Sequence, residues 1–242
     1  MLRPIRLGML TPSSNTVLEP ATVAILGGLP EATAHFSRFR VTQIAMSEDA
    51  QAQFDDSAIL DAAELLSHAK VDTIAWNGTS ASWLGFDTDR HLCNRITGMT
   101  GIPATTSILA LNEALAFTGA RRLGLVTPYT TPVQDRIVAN YAATGLICDA
   151  EPALGIEDNF AFANVAPERL AGMIRSAAAR RPDAIAVLCT NLRSAALVAP
   201  LEAELGIPIY DTVATAVWKS LILAGSDPGR VTDWGRLFQL HP

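Results

Sequence analysis

The chain has 242 residues, 49% of them hydrophobic and 17% charged, enough for a large core and far from a disordered composition. Eighteen basic residues against twenty-four acidic ones give a formal charge of −6, which argues against nucleic acid and anionic membranes as main partners and leaves a small acidic substrate open. No window holds the ~18 apolar residues of a membrane span, and the opening MLRPIRLGMLTP, broken by Gly8 and Pro12, lacks a signal-peptide core. The expectation is a cytoplasmic protein with no membrane partner.

RLGML (6–10) is a short apolar run without alternation, as a buried parallel strand requires. SAILDAAELLSH (57–68) has the apolar spacing of a helix, and the strand VDTIAW and the loop NGTS (77–80) follow it. The polar run DTDRHLCNR (87–95) reads as helical. Ile102-Pro103 opens a Thr/Ser turn into the helix LNEALAFTGA, with Gly119 as its stop. The pattern then begins again. RRLGLV (121–126) predicts a strand, LICDAE (146–151) another, and PERLAGMIRSAAAR (167–180) a helix with Pro167 in its first turn. DAIAVLC (183–189) repeats VDTIAW, Ile207-Pro208 repeats Ile102-Pro103, and the helix VWKSLILAG ends at Gly225.

RLGMLTP and RLGLVTP, VDTIAWNGTS and PDAIAVLCTN, and the two Ile-Pro segments form pairs in the same order and nearly the same spacing. We read two homologous halves, residues 1–118 and 119–224, and a tail, 225–242, that caps a lobe. Strand–helix alternation predicts an α/β fold. It has two pseudo-twofold-related lobes, each a parallel sheet with flanking helices, and an active site in the cleft between them.

Ligands bind beyond the carboxyl ends of parallel strands. That places Thr11–Thr16, Asn77–Ser80, Thr127–Thr131 and Cys189–Asn191 around the cleft, each expected to lead into a helix N-terminus that favours an anion. The same residue types also make ordinary N-caps. Cys189 is the exception, because its symmetry mate is Gly78. The helix N-terminus and the cleft are expected to shift its thiol so that it alkylates faster than Cys93 and Cys148, both read as structural. Trp76 and Trp83 read as core or cleft wall, with Trp83 able to line the pocket. Three cysteines and four scattered histidines suggest neither a disulfide framework nor a metal site.

TPSSNTVLEP, the paired NGTS and LCTN loops, VTPY and EDN (157–159) resemble the aspartate/glutamate/hydantoin racemase superfamily. The likeness is greatest to its branch of arylmalonate decarboxylases and maleate cis-trans isomerases. In the superfamily's racemases and isomerases two cysteines face each other, one per lobe. By this resemblance Cys189 takes the second-lobe position and Gly78 the position of the missing first cysteine, so two-base racemisation is not expected. Gly-Thr-Ser with a single cysteine is the decarboxylase pattern. It implies loss of CO2 from a malonate-type acid with no cofactor and no metal. Thr79, Ser80, Tyr129 and backbone N–H groups near Ser80 and Cys189 would stabilise the enediolate, an apolar wall would favour loss of the carboxylate, and Cys189 would protonate one face. Asn15 and Asn159 match substrate-binding asparagines of the isomerases. Thr190-Asn191 stands where the decarboxylase has a glycine pair, so the substrate is smaller or more polar than an aryl malonate, with Thr190 beside it. The alternatives are a racemase or maleate-type isomerase of a small carboxylic acid, as in ectoine-type catabolism, or a non-catalytic carboxylate-binding relative. A homo-oligomer is compatible with the sequence, which does not fix the oligomeric state.

Overall fold

Apolar runs that cannot face water on either side become the inner strands of two sheets in the computed structural model, which describes residues 3–47, 56–150 and 152–241. Met1, Leu2 and Glu151, at the ends of two of the sequence segments above, lie outside the described residues. The first sheet contains β1 (Ile5–Pro12), β2 (Ala32–Phe39), β3 (Thr73–Trp76) and β4 (Ala104–Thr106), in the order β2-β1-β3-β4. The second contains β5 (Arg122–Val126), β6 (Ile147–Ala150), β7 (Ala184–Val187) and β8 (Ile209–Asp211), in the order β6-β5-β7-β8. All pairings within the two sheets are parallel. The repeat seen in the sequence is therefore a repeat of topology.

The glycine of each RLG motif has a packing reason. A Cβ on Gly8 would lie 3.3 Å from Leu66 of helix α2 (Asp56–His68), and one on Gly124 would lie 3.3 Å from Ala177 of the helix Pro167–Ala178. In both halves the helix sits too close to its central strand for a larger residue. Helix α1 (Leu18–Ile25) and edge strand β2 were not evident in the sequence. β2 is mostly half-exposed and reads ATAHFSRF, in which alternation breaks at Arg38 and no apolar run occurs. The Ile-Pro turns contain three-residue strands, β4 and β8, too short to leave a pattern.

One expectation about the loops is corrected. Asn77–Ser80 leads into a single helical turn, α3 (Ala81–Leu84), before α4 (Phe86–Thr100). Cys189–Asn191 leads into no helix directly, because turns and a 3-10 segment, Ala195–Leu197, precede Val198–Leu205.

The two halves are joined by the helices that follow β4 and β8. Helix α5 (Ser107–Phe117) is capped by Thr106, whose hydroxyl accepts from Leu109 N at 3.0 Å. The helix Thr212–Leu223 is capped by Asp211, whose carboxylate accepts from Val213 N at 2.8 Å and Ala214 N at 3.2 Å. These helices pack on each other, and Lys219 pairs with Glu113 at 2.6 Å. Helix Thr212–Leu223 also packs on α1, β3 and β4 of the first sheet. The tail touches both halves: Arg230 pairs with Glu31, while Trp218 Nε1 donates to Leu240 O at 3.1 Å and Arg236 N to Glu202 at 2.7 Å.

Asp89 of α4 accepts a hydrogen bond from Thr106 and so ties α4 to the start of α5. Burial, only partly offset by that bond, pushes its carboxyl up from 3.8 to about 7. The native state thus holds a proton that the unfolded chain releases near pH 4. Stability falls as pH rises between those values and is level above. Asp89→Asn removes this loss. Its melting temperature should exceed the parent's at pH 8 by roughly 5 °C and approach it at pH 5. Parallel melting curves against pH for the two proteins would contradict this account.

Candidate active site

The carboxyl ends of β1, β3, β5 and β7 converge on a small cavity of ≈ 20 Å³. Its polar wall is formed by Thr79, Tyr129, Asn159, Cys189 and Thr190, beside Gly78. Pro12, Val41, Ile44, Trp76 and Trp83 form the apolar wall. Six of the eight residues selected from sequence thus meet in one cavity: Gly78, Thr79, Tyr129, Asn159, Cys189 and Thr190. Ser80 lines the adjoining crevice with Asp89 and His91 instead. Asn15 is engaged elsewhere. Its Oδ1 accepts from Val17 N and Leu18 N, each at 2.9 Å, and its Nδ2 donates to Thr190 Oγ1 at 3.1 Å. Val41 and Ile44, in the segment after β2, were missed because RVTQI has no periodicity to mark them.

Hydrogen bonds cross between the halves at this point. Thr190 Oγ1 donates to Asn77 O at 3.0 Å. Asn191 Oδ1 accepts from Thr16 N at 3.0 Å and Val17 N at 3.2 Å, and its Nδ2 donates to Asn159 O at 2.6 Å. Asn159 Nδ2 in turn reaches Ser14 Oγ at 2.7 Å. The sequence reading gave Asn191 no such part, because no local pattern reveals a partner 175 residues away.

Tyr129 is buried, with its ring edge-on to Trp83 at 5.3 Å and to Phe162 at 5.5 Å. Its hydroxyl lies 2.6 Å from Thr79 Oγ1 and neighbours the Cys189 thiol. Burial and the neighbouring thiolate would both disfavour a phenolate, so its titration is moved well above the usual range and the hydroxyl keeps its proton. Cys189 is 3% exposed. Burial pushes its thiol up to about 12, against the opposing pull of the Asn191 N–H at 3.4 Å and the Tyr129 hydroxyl. This overturns the expectation of a thiol activated by a helix N-terminus: no helix begins there, so burial dominates. Cys93 and Cys148 are raised to the same value by their own burial.

Among the described residues, the backbone N–H groups of Gly78, Thr79, Ser80 and Thr190 have no internal acceptor. The N–H of Cys189, expected to face an oxyanion, is instead bonded to Thr212 Oγ1 at 3.2 Å. The cavity therefore combines a buried thiol, three hydroxyls and unpaired backbone donors with apolar side chains.

The model of the family described as arylmalonate decarboxylase matches residues 7–238. The chain belongs to this family. Its relatives carry two activities. A maleate isomerase of Pseudomonas putida KT2440 is 32% identical over 241 residues, covering 93% of this chain and 94% of that protein. An arylmalonate decarboxylase of Bordetella bronchiseptica is 28% identical over 184 residues, covering 75% and 77%. The crystal structure of a cysteine-to-alanine variant of the maleate isomerase from Pseudomonas putida S16, with maleate, superposes at a TM-score of 0.88, with 27% identity and 98% of each chain covered. The fold and the enzyme family anticipated from sequence are thus established.

Two measurements check the site. Asn191→Ala leaves the Thr16 N–H and the Asn159 carbonyl without their partner and takes one of two acceptors from the Val17 N–H, and should cost about 2–4 kcal/mol in denaturant unfolding; a loss under about 1 kcal/mol would show the cross-links to be incidental. In native alkylation followed by peptide mass spectrometry, half-exposed Cys148 should be modified before Cys189. Cys189 reacting first would mean that its thiol is ionised.

Proposed function

We propose that this protein is a cofactor-independent decarboxylase of a small malonate-type diacid, with Cys189 as its proton donor. The observation that carries the reading is the pairing of one buried, protonated thiol with a glycine across the cavity. Neither of the other cysteines lines that space. Racemisation and thiolate addition, as the two-cysteine members of the superfamily perform them, need a base or nucleophile facing the proton donor, and Gly78 supplies neither. Decarboxylation needs neither.

In this reading the carboxylate that remains is held by Thr79, Tyr129 and the N–H groups of Gly78 and Thr79. The one that leaves lies against the apolar wall, where charge is poorly solvated. The bond from the central carbon to the departing carboxylate breaks, and its electrons move into an enediolate. Donors already aimed at that oxygen pair stabilise it without reorganisation. Cys189 gives its proton to the carbon from one face, and the thiolate regains one from solvent. A dianion and one proton become CO2 and a monocarboxylate. Asn159 orients the substrate, while Thr190 and Asn15 set the separation of the walls.

A second reading, cis-trans isomerisation of a maleate-like acid, is favoured by the 32% identical relative. It requires Cys189 to add to a double bond as thiolate, against the direction of its titration.

Incubation with methylmalonate, phenylmalonate and maleate in deuterated water separates the readings. The decarboxylase releases CO2 and places one deuterium on the α-carbon with a single handedness. Cys189→Ala should lower that rate by about 10²–10⁴-fold. Activity should persist without a thiol-linked fall below about pH 10, because the thiol stays protonated. Conversion of maleate to fumarate with no CO2 from either malonate would replace this reading with the second.

A further inference from the structure

Nothing in the backbone at position 78 demands glycine. Gly78 is not among the residues with positive φ, so an L side chain suits the turn. The obstacle is Trp76. A Cβ on Gly78 would fall 1.9 Å from Cζ2, 2.2 Å from Cε2 and 2.6 Å from Cη2 of its indole. These atoms belong to the six-membered ring, so that ring occupies the volume of a side chain at 78. The indole is itself confined. Trp76 is 1% exposed, ends β3 in register with Leu10, and tilts against Phe39 at 4.9 Å.

Trp76 also faces two spaces. On one side is the enclosed cavity with Gly78 and Cys189. On the other is a crevice of ≈ 250 Å³ lined by Ser80, Asp89 and His91, far larger than the ≈ 20 Å³ of the cavity. The two share no other lining residue. The ring is the partition between them.

We propose that Trp76 is the specificity-determining residue of this site: its indole, rather than the turn, dictates Gly78, and it closes the cavity from the crevice so that only a small group on the reacting carbon fits. The substrate class rests on the malonate reading; the partition does not. The indole stands where a first-lobe side chain would face Cys189. Bulk at 76 and bulk at 78 are alternatives, and this chain has placed it at 76.

A double-mutant cycle tests the coupling. Gly78→Ala should lower the melting temperature by roughly 5–10 °C in the parent, as overpacking does, and by less than about 2 °C beside Trp76→Leu. Trp76→Phe, which keeps an aromatic ring without the fused second one, serves as a gentler background should Trp76→Leu fold poorly. Ligand-induced thermal stabilisation by methylmalonate and phenylmalonate tests specificity. The parent should favour methylmalonate by at least about tenfold in apparent affinity, and the Trp76 variants should erase or invert that ranking, which a purely structural tryptophan would leave unchanged. An equal cost of Gly78→Ala in both backgrounds or an unaltered ranking overturns the proposal, whereas failure of both malonates to bind with the coupling intact overturns the malonate reading and leaves the partition. If the coupling and the ranking hold but no CO2 is released, the reaction assignment fails and the role of Trp76 stands.

Discussion

The amide of Asn191 sits where the ends of two sheets meet, and it replaces hydrogen bonds that water would otherwise supply. Thr16 and Val17 present backbone N–H groups at the start of α1, and both donate to its oxygen. Asn159 presents a carbonyl, and its nitrogen donates there. A buried amide with both ends engaged tolerates little displacement, because each lost bond leaves a polar group in a medium that cannot solvate it. Thr190, next in the chain, extends the link to Asn15 and Asn77. Cys189 immediately precedes these two residues. The thiol therefore gains its position from a cross-link between the halves rather than from a helix of its own. The same enclosure explains its protonation: a sulfur surrounded by packed residues has no solvent to support a negative charge.

Duplication accounts for much of what could be read in advance. A repeated strand core, RLGML and RLGLV, appears as the central strand of each sheet, and the glycine within it lies under a close helix in both. The segments VDTIAW and DAIAVL reveal themselves as inner strands because burial on both faces removes polar positions. Among the edge strands LICDAE was legible as β6, whereas β2 gave no such sign. Residues Ala32–Phe39 alternate imperfectly and carry His35 and Arg38, since one flank of that strand faces solvent. The cavity was legible where chemistry concentrates at strand ends, as at Thr79, Tyr129 and Cys189. It was not legible at Val41 and Ile44, whose place depends on how the chain returns after β2, or at Ser80, whose side chain falls on the far side of an indole. Nor could a linear reading anticipate the direction of the Cys189 titration. That depends on whether the following residues form a helix or a turn, and CTNLRS is compatible with both.

The halves diverge where they face each other. At the ends of β4 and β8 the two copies retain equivalent tasks with different residues, a threonine capping one helix and an aspartate the other. At the ends of β3 and β7 they have ceased to be equivalent. One carries a thiol, the other an indole over a bare backbone position. A symmetric scaffold with asymmetric walls can treat the two faces of a planar intermediate differently. The source of that difference is a volume exchange between two residues on a single strand end.

The helix Thr212–Leu223 covers α1, β3 and β4 of the opposite half, and Arg230 reaches back to Glu31. During synthesis these elements leave the ribosome after the whole of the first half. Until they emerge, the nascent amino-terminal half has an uncovered apolar surface and cannot complete its packing. The order of translation thus opposes independent maturation of the first half, and sequence-distant closure of this kind slows folding. Removal of the helix Thr212–Leu223 would uncover the first sheet rather than merely trim the second, so this helix acts as the seal on the amino-terminal half.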